Sequence, residues 1–364
     1  MFNSNKYYKI AILSNNKKTT VPQGGAVYRE GLIMQNAGFD QTYVNREGIE
    51  VIYLAGGCFW GTELLMQSMP GVVDAVSGYA NGNSGARPTY EEVCVGDTGY
   101  RETVRVEYDP QQISLDALLF AYFASIDPTV TNRQGNDIGT QYQAGIYYAD
   151  QASRAVVERI AELQKQRYGK LAVEIGPLIN FYQAEAYHQD YLDKNPQGYC
   201  HIPMKKITEI TNMVVDPGNY QRPSPQQIKE QLTDQQYQVT QQAATESPFA
   251  NPYWDNQQRG IYVDIVTGEP LFSSADKYQS SCGWPSFAKG IDDNAFVYKL
   301  DQSLAMQRVE VTSRTGESHL GHIFDNDGES PTGVRYCINS ASLRFIPDEK
   351  MEAEGYGYLL KYLK

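Results

Sequence analysis

This chain predicts an α+β two-layer sandwich followed by a mainly antiparallel β domain of packed sheets. Three observations carry that reading. Strand-like and helical segments alternate from residue 48 to residue 206. The stretch Asp216-Pro217-Gly218-Asn219-Tyr220-Gln221-Arg222-Pro223-Ser224-Pro225 is dense in turn residues and breaks the alternation. Beyond it, short apolar runs are separated by Gly, Pro and Asp clusters, the pattern of packed antiparallel strands. The 364 residues suffice for about two to three domains.

In order along the chain, residues 1–47 read as an N-terminal extension. They include loop-like runs at 15–20 and 24–25, and they either pack on the first domain or are partly mobile. The first domain spans 48–206. Strands are expected at 51–54, 103–108 and 145–148, and helices at 115–125, capped by Ser114, and at 151–168. Alternation alone implies an α/β or an α+β sandwich. A further helix is expected at 188–194, with a flexible tail after it. Residues 207–225 form the linker, and 226–364 the second domain. There a short helix at 226–232 precedes strands at 261–266, 296–300, 307–312 and 335–345. The two halves do not align with each other.

Composition excludes several functions. With 41% hydrophobic and 20% charged residues, the chain reads as globular with real cores. Its 31 basic and 43 acidic residues give a net charge of −12, which argues against nucleic acid and anionic membrane partners. No apolar run reaches the roughly 18 residues of a membrane span. The apolar run at 10–13 is too short for a secretory leader. A cytoplasmic location is therefore expected, with the envelope or periplasm as the alternative if the N-terminus is trimmed. Five cysteines, at 58, 94, 200, 282 and 337, include no C-x-x-C pair. A four-thiolate zinc site and a disulfide-stapled scaffold are both disfavoured.

The segment richest in chemistry is Gly56-Gly57-Cys58-Phe59-Trp60-Gly61, a strand-to-helix turn. The glycines let the chain bend, and a helix N-terminus favours thiolate over thiol. A buried core cysteine is the competing reading. Phe59 and Trp60 offer an apolar wall for a small ligand. Cys94 lies between Val93 and Val95 and reads as a buried core residue.

GGCFWGTE resembles the catalytic motif of the A-type methionine sulfoxide reductases. The resemblance continues in order through Pro88-Thr89-Tyr90-Glu91-Glu92-Val93, Gly99-Tyr100-Arg101-Glu102-Thr103-Val104, Arg133-Gln134-Gly135-Asn136-Asp137-Ile138-Gly139-Thr140-Gln141-Tyr142 and Glu185-Ala186-Tyr187-His188-Gln189-Asp190-Tyr191. Ser281-Cys282-Gly283-Trp284-Pro285-Ser286-Phe287, Ser318-His319-Leu320-Gly321-His322 and Arg335-Tyr336-Cys337-Ile338-Asn339-Ser340 resemble the B-type reductases, which differ in fold and take the other sulfoxide epimer.

The resemblance implies a bifunctional reductase of free or protein-bound methionine sulfoxide, serving repair of oxidised proteins. The S epimer is expected at the first domain and the R epimer at the second. Sulfoxide reduction needs a nucleophile at sulfur, a proton for the departing oxygen, and a second thiol that condenses with the resulting sulfenic acid. No bound cofactor is expected; an external thioredoxin-like dithiol resets the disulfide. In the first domain the resemblance makes Cys58 the nucleophile and Cys200 the resolver. Glu102, Tyr90 and Tyr142 serve the sulfoxide oxygen, Asp137 supports the site, and Phe59 and Trp60 hold the methyl group. In the second it makes Cys337 the nucleophile and Cys282 the resolver. There His322 is a proton donor, His319 and Asn339 line the site, and Trp284 walls the methyl pocket. Arg335 shares a strand face with Cys337 and could favour its thiolate. Zinc ligation by His319 and His322 lacks an accompanying thiolate pair. Two rivals remain: a peptide-binding module without turnover, and a general disulfide exchanger, the latter weakened by the absence of C-x-x-C.

Overall fold

The structure is a computed structural model that describes residues 26–29, 32–35, 40–83, 86–302 and 307–364. The loop-like runs at 15–20 and 24–25 lie outside the described residues. Before Asp40 the described backbone is one hairpin, Ala26–Arg29 against Leu32–Gln35. From Asp40 the extension packs on the first domain. The buried Asp40 carboxylate receives Arg105 at 2.7 Å and the Tyr53 hydroxyl at 3.0 Å.

The first domain is a six-stranded sheet with its helices on one face. Its strands are β1 (Glu50–Ala55), β2 (Val72–Ala80), β3 (Arg101–Tyr108), β4 (Gly145–Tyr148), β5 (Glu174–Pro177) and β6 (Phe181–Gln183), in the order β6-β2-β3-β1-β4-β5. Only β4 and β5 pair in parallel, so the sheet is mainly antiparallel and the α+β reading holds. β1 is apolar from Val51 onward because both its faces are covered there. Ile52 and Leu54 meet the helices, while Val51 and Tyr53 meet Leu178 and Phe181. The helices are α1 (Phe59–Gln67), α2 (Tyr90–Val95), α3 (Leu115–Ser125), α4 (Gln151–Tyr168), α5 (Tyr191–Lys194) and α6 (Met204–Thr211). Ser114 and Asp150 open α3 and α4 by accepting the N–H groups of Ala117 and Ser153. The expected helix at 188–194 shrinks to the single turn of α5, because the residues before it turn to bury His188.

After helices α7 (Pro225–Gln231) and α8 (Asp234–Gln242), the second domain is two antiparallel sheets. Strands β7 (Gly260–Asp264), β8 (Pro270–Ser273) and β15 (Leu343–Pro347) form one, in the order β8-β7-β15. The other contains β9 (Lys277–Tyr278), β10 (Ser286–Phe287), β11 (Phe296–Asp301), β12 (Arg308–Ser313), β13 (His319–Asp325) and β14 (Val334–Ile338), in the order β9-β10-β14-β13-β12-β11. Aromatic packing joins them, with Phe272 stacked on Phe287 at 4.3 Å and both against the core of Tyr262 and Tyr336. The single strand expected at 335–345 is two. A 3₁₀ turn at Ser340–Ser342 carries the chain from one sheet to the other, so Phe345 does not share a strand with Cys337.

The segment 214–216, within the expected linker and just after α6, is laced to both halves. Asp216 accepts the Ser114 N–H at 2.9 Å, and Asp292 accepts the N–H groups of Val214 and Val215 at 2.8 and 2.9 Å. Arg314 is buried with Glu269, donates to the Val215 carbonyl at 2.9 Å, and lies 5.5 Å over the Phe120 ring of α3. Among the described residues no helix is long and apolar enough to cross a membrane.

Candidate active sites

Cys58 is the N-cap residue of α1, delivered by β1 through Gly56 and Gly57. Both glycines are required. Gly57 has φ +88°, and a Cβ there would stand 2.6 Å from Gln134; a Cβ on Gly56 would stand 2.9 Å from Thr62. The cap position leaves the Phe59 N–H without an intrahelical partner, and Glu102 of β3 fills it with Oε2 at 3.0 Å. Glu102 is fully buried. Burial pushes its carboxyl up to about 8, against the Phe59 N–H that favours the charged form. It is therefore neutral at physiological pH and able to give a proton.

Cys58 itself departs from expectation. The helix N-terminus was expected to favour its thiolate. Instead burial, and next the nearby Glu102, push the thiol well above its ordinary value, and the Trp60 N–H opposes them only in part. The resting form is the thiol. Desolvation of a cysteine that is 7% exposed outweighs the helix end.

Aromatic groups enclose this thiol. Phe59 lies 5.9 Å from Tyr79 and 4.9 Å from His188. Trp60 stacks on Tyr191 at 3.7 Å and donates its indole N–H to His188 Nδ1 at 3.1 Å. Tyr90 lies 4.5 Å from the His188 ring. Burial raises the hydroxyls of Tyr90 and Tyr142, and for Tyr90 a hydrogen bond with Cys94 adds to it. Asp137 is half-buried, with Oδ2 lacking a hydrogen-bond partner, and its charge acts on Cys58, Glu102 and Tyr142.

Cys200 does not sit in a loose tail. Ile202 is buried, and the Cys200 thiol donates to the Ile202 carbonyl at 3.0 Å. Its segment lies on the first turn of α1, where a Cβ on Gly61 would stand 3.1 Å from Cys200 Sγ. Cys94 is a second correction. Val93 is the buried residue of α2, and Cys94 is exposed. The capping box of Thr89 and Glu92 sets the short helix so that position 93, not 94, faces the core.

In the second domain the strand register assembles the site. Cys337 pairs with Ser286 on one side and with His322 on the other. Cys282, in the loop leading to β10, brings its sulfur to 3.5 Å from Cys337 Sγ. The two thiols share their proton asymmetrically. The hydrogen bond from Cys337 lowers Cys282 to about 4, with Ser280 and Ser286 helping, and the Cys337 thiol is correspondingly raised. Arg335, on the same strand face as Cys337, opposes that rise. A cavity of about 120 Å³ opens beside Cys337, lined by Trp284, Arg308, His322, Phe324 and Asn339 among others. His322 Nε2 meets Asp301 at 2.9 Å, and burial lowers its pKa. His319 is buried, with Nδ1 2.6 Å from Glu310. Asn339 spends its amide on the Glu246 N–H at 3.2 Å and the Leu320 carbonyl at 3.1 Å, so it braces the wall it lines. Trp284 donates to the Glu246 carbonyl at 3.2 Å.

Sequence reasoning quoted His188 in a motif without giving it a role, and missed Asp301, Glu310 and Glu246. One signal was present: the chain has only four histidines, and all four lie at these two sites.

Residues 50–216 match the model of the family described as peptide methionine sulfoxide reductase, and residues 232–347 match that of the SelR domain. Mxr1 from Saccharomyces cerevisiae in reduced form is 41% identical, with 44% of this chain and 94% of that chain covered and a TM-score of 0.42. Methionine sulfoxide reductase A of Corynebacterium diphtheriae is 41% identical, with 43% and 84% covered and a TM-score of 0.39. A structure of Mxr1 from Saccharomyces cerevisiae in complex with Trx2 is 27% identical, with 42% and 92% covered and a TM-score of 0.31.

Proposed function

This chain belongs to the methionine sulfoxide reductases, with a peptide methionine sulfoxide reductase domain followed by a SelR domain, and on that premise we propose that Cys58 and Cys337 are its two nucleophiles, each recycled by a cysteine of its own domain. The A-type domain reduces the S epimer and the B-type domain the R epimer. The observation that carries the residue assignment is the placing of a second thiol beside each nucleophile. Cys282 stands 3.5 Å from Cys337, and Cys200 rests against the first turn of the helix that Cys58 opens.

At the first site the Cys58 sulfur attacks the sulfoxide sulfur, the S–O bond of the substrate breaks as its oxygen is protonated, and that hydroxyl is taken up by the Cys58 sulfur as the transient bond between the two sulfurs breaks. Neutral Glu102 gives its proton to that oxygen and recovers the proton Cys58 loses, with the Tyr90 and Tyr142 hydroxyls hydrogen-bonding the oxygen. The products are the thioether and a Cys58 sulfenic acid. Phe59 and Trp60, the latter held by His188 and Tyr191, receive the methyl group. At the second site a proton moves from Cys337 to Cys282 across their hydrogen bond, Cys337 attacks, and His322, oriented by Asp301, serves the oxygen. Trp284 packs on the methyl group. Each sulfenic acid then condenses with its resolver and releases water. A thioredoxin-like dithiol exchanges with the disulfide and returns two thiols. Both free and protein-bound methionine sulfoxide are proposed substrates, and the cytoplasm the proposed location.

Turnover of separated epimers tests the assignment. Cys58→Ser is expected to abolish S-sulfoxide reduction and spare the R epimer, and Cys337→Ser to do the reverse. Loss of both activities from either variant would contradict two separate sites.

A further inference from the structure

We propose that His201 is the acid–base group for the step that closes the Cys58–Cys200 disulfide. The proposal rests on the assignment of Cys200 as resolver and adds the group that makes it reactive.

His201 follows Cys200, and both side chains lie beside Gly61. A Cβ on Gly61 would stand 3.0 Å from His201 Nδ1 and 3.1 Å from Cys200 Sγ. The opposite ring nitrogen faces the catalytic loop, with Nε2 3.3 Å from the Cβ position of Gly57, next to Cys58. A side chain at Gly61 would displace both groups, so the glycine of the Cys58 motif makes room for this pair.

Both His201 ring nitrogens are buried, and neither makes a hydrogen bond of normal geometry, although the Gly56 carbonyl lies close enough to act on the ring. An unsatisfied buried donor or acceptor costs about 1–3 kcal/mol, and a purely structural imidazole in this position would be expected to bond at least one nitrogen. The other histidine of this domain does so: His188 Nδ1 accepts from Trp60. The ring nitrogens of His201 lie where a proton has to move. At rest Cys200 is a thiol, pushed up by burial and tied to the Ile202 carbonyl. It cannot attack a sulfenic acid until a base takes its proton. Glu102 is not that base, because the first half-reaction returns it to the neutral form.

Burial holds His201 below its ordinary pKa, so it is neutral and ready to accept; the charge of Asp137 and the Gly56 carbonyl favour the imidazolium once formed. Asp137, Tyr199, Cys58 and Cys200 are the ionisable groups around this step, and Glu102 acts on it through Cys58. The step balances. His201 takes the Cys200 proton, and the Cys200 sulfur attacks the Cys58 sulfenic sulfur. The S–S bond forms as the S–O bond breaks, and the departing hydroxide takes the proton back from His201 as water. Two sulfurs are joined, the sulfenic acid is reduced, the thiol is oxidised, and His201 ends neutral.

The experiment is a single turnover of the full chain with S-methionine sulfoxide and no reductant. Methionine release and appearance of the Cys58–Cys200 bridge are followed separately, in wild type, His201→Asn and His201→Gln, across pH. The methionine burst is expected to be unchanged, while bridge formation slows by about 10²-fold, as loss of a general acid–base group does, and loses its imidazole ionisation. The sulfenic acid accumulates and is trapped by dimedone. Bridge closure at the wild-type rate and pH profile in both variants would overturn the proposal. So would loss of the burst in both variants with R-sulfoxide turnover intact, since His201 would then be a support of the Cys58 loop. Cys200→Ser separates the two assignments: if it still bridges Cys58 at the wild-type rate, Cys200 is not the resolver.

Discussion

Glu102 in the first domain and His322 in the second are assigned the same task, and their surroundings prepare them in opposite ways. Glu102 is a carboxyl made into an acid by burial: removed from water, it holds its proton up to about pH 8. His322 is an imidazole whose pKa burial lowers, and the Asp301 carboxylate both orients it and partly restores its charge. The cysteines differ in parallel. Cys58 is a buried thiol whose proton, on the proposed assignment, must leave during the reaction, whereas Cys337 is proposed to pass its proton to a neighbour 3.5 Å away. One chemistry thus needs a sulfur nucleophile, a movable proton and a second thiol, and an α+β sheet-and-helix domain and a β domain supply them with different groups. A helix N-terminus does not by itself make a thiolate; at Cys58 desolvation wins.

The contrast between the donors gives the largest expected effect. Glu102→Gln keeps the hydrogen-bonding shape and removes the proton. It should cut S-sulfoxide single-turnover rates by about 10²–10⁴-fold and leave the R epimer untouched. In the wild type the S rate should fall as pH rises through about 8, where Glu102 ionises. The R rate should begin to fall at lower pH, below the ordinary histidine range, where His322 loses its proton. Coincident pH limbs would break the comparison. The same shift fixes a sign for stability. Glu102 is raised in the folded state, so its contribution favours folding at low pH and is lost progressively as pH rises from the carboxylate range to about 8.

A smaller effect asks whether the two domains stand alone. Arg314 of the second domain is buried with Glu269 and reaches the linker and Phe120. Arg314→Met strands the Glu269 charge and should cost about 3–5 kcal/mol, read by chemical denaturation. R-sulfoxide activity should fail at lower denaturant than S-sulfoxide activity. Loss of both together would show the seam to be cooperative. The smallest expected effect is none: EDTA should leave both activities and the stability unchanged, since no C-x-x-C pair exists to hold zinc. Zinc lost together with folding would contradict this.

Much of this was legible from residue patterns. The helices at 115–125 and 151–168 appear with the expected bounds, because Ser114, Asp150 and Gly169 mark their ends chemically. The break at Ser340–Ser342 was not legible, because the 335–345 run stays β-prone while it changes sheets. The Cys94 error came from judging burial by flanking valines; in a one-and-a-half-turn helix, facing is set by the capping box. Asp301, Glu310 and Glu246 were invisible because strand register and a distant loop, not sequence proximity, bring them to the histidines and to Trp284. Burial, which sets the pKa of Glu102 and Cys58, is a property of the whole fold and has no local signature.

The most direct test of two self-contained redox sites is disulfide mapping after one epimer at a time. Fully reduced protein is given S- or R-methionine sulfoxide without reductant, quenched in acid and digested. The S epimer should yield only a Cys58–Cys200 bridge and the R epimer only Cys282–Cys337, with Cys94 reduced in both. A dominant Cys58–Cys94 bridge, a bridge between the domains, or the same bridges from either epimer would contradict the account.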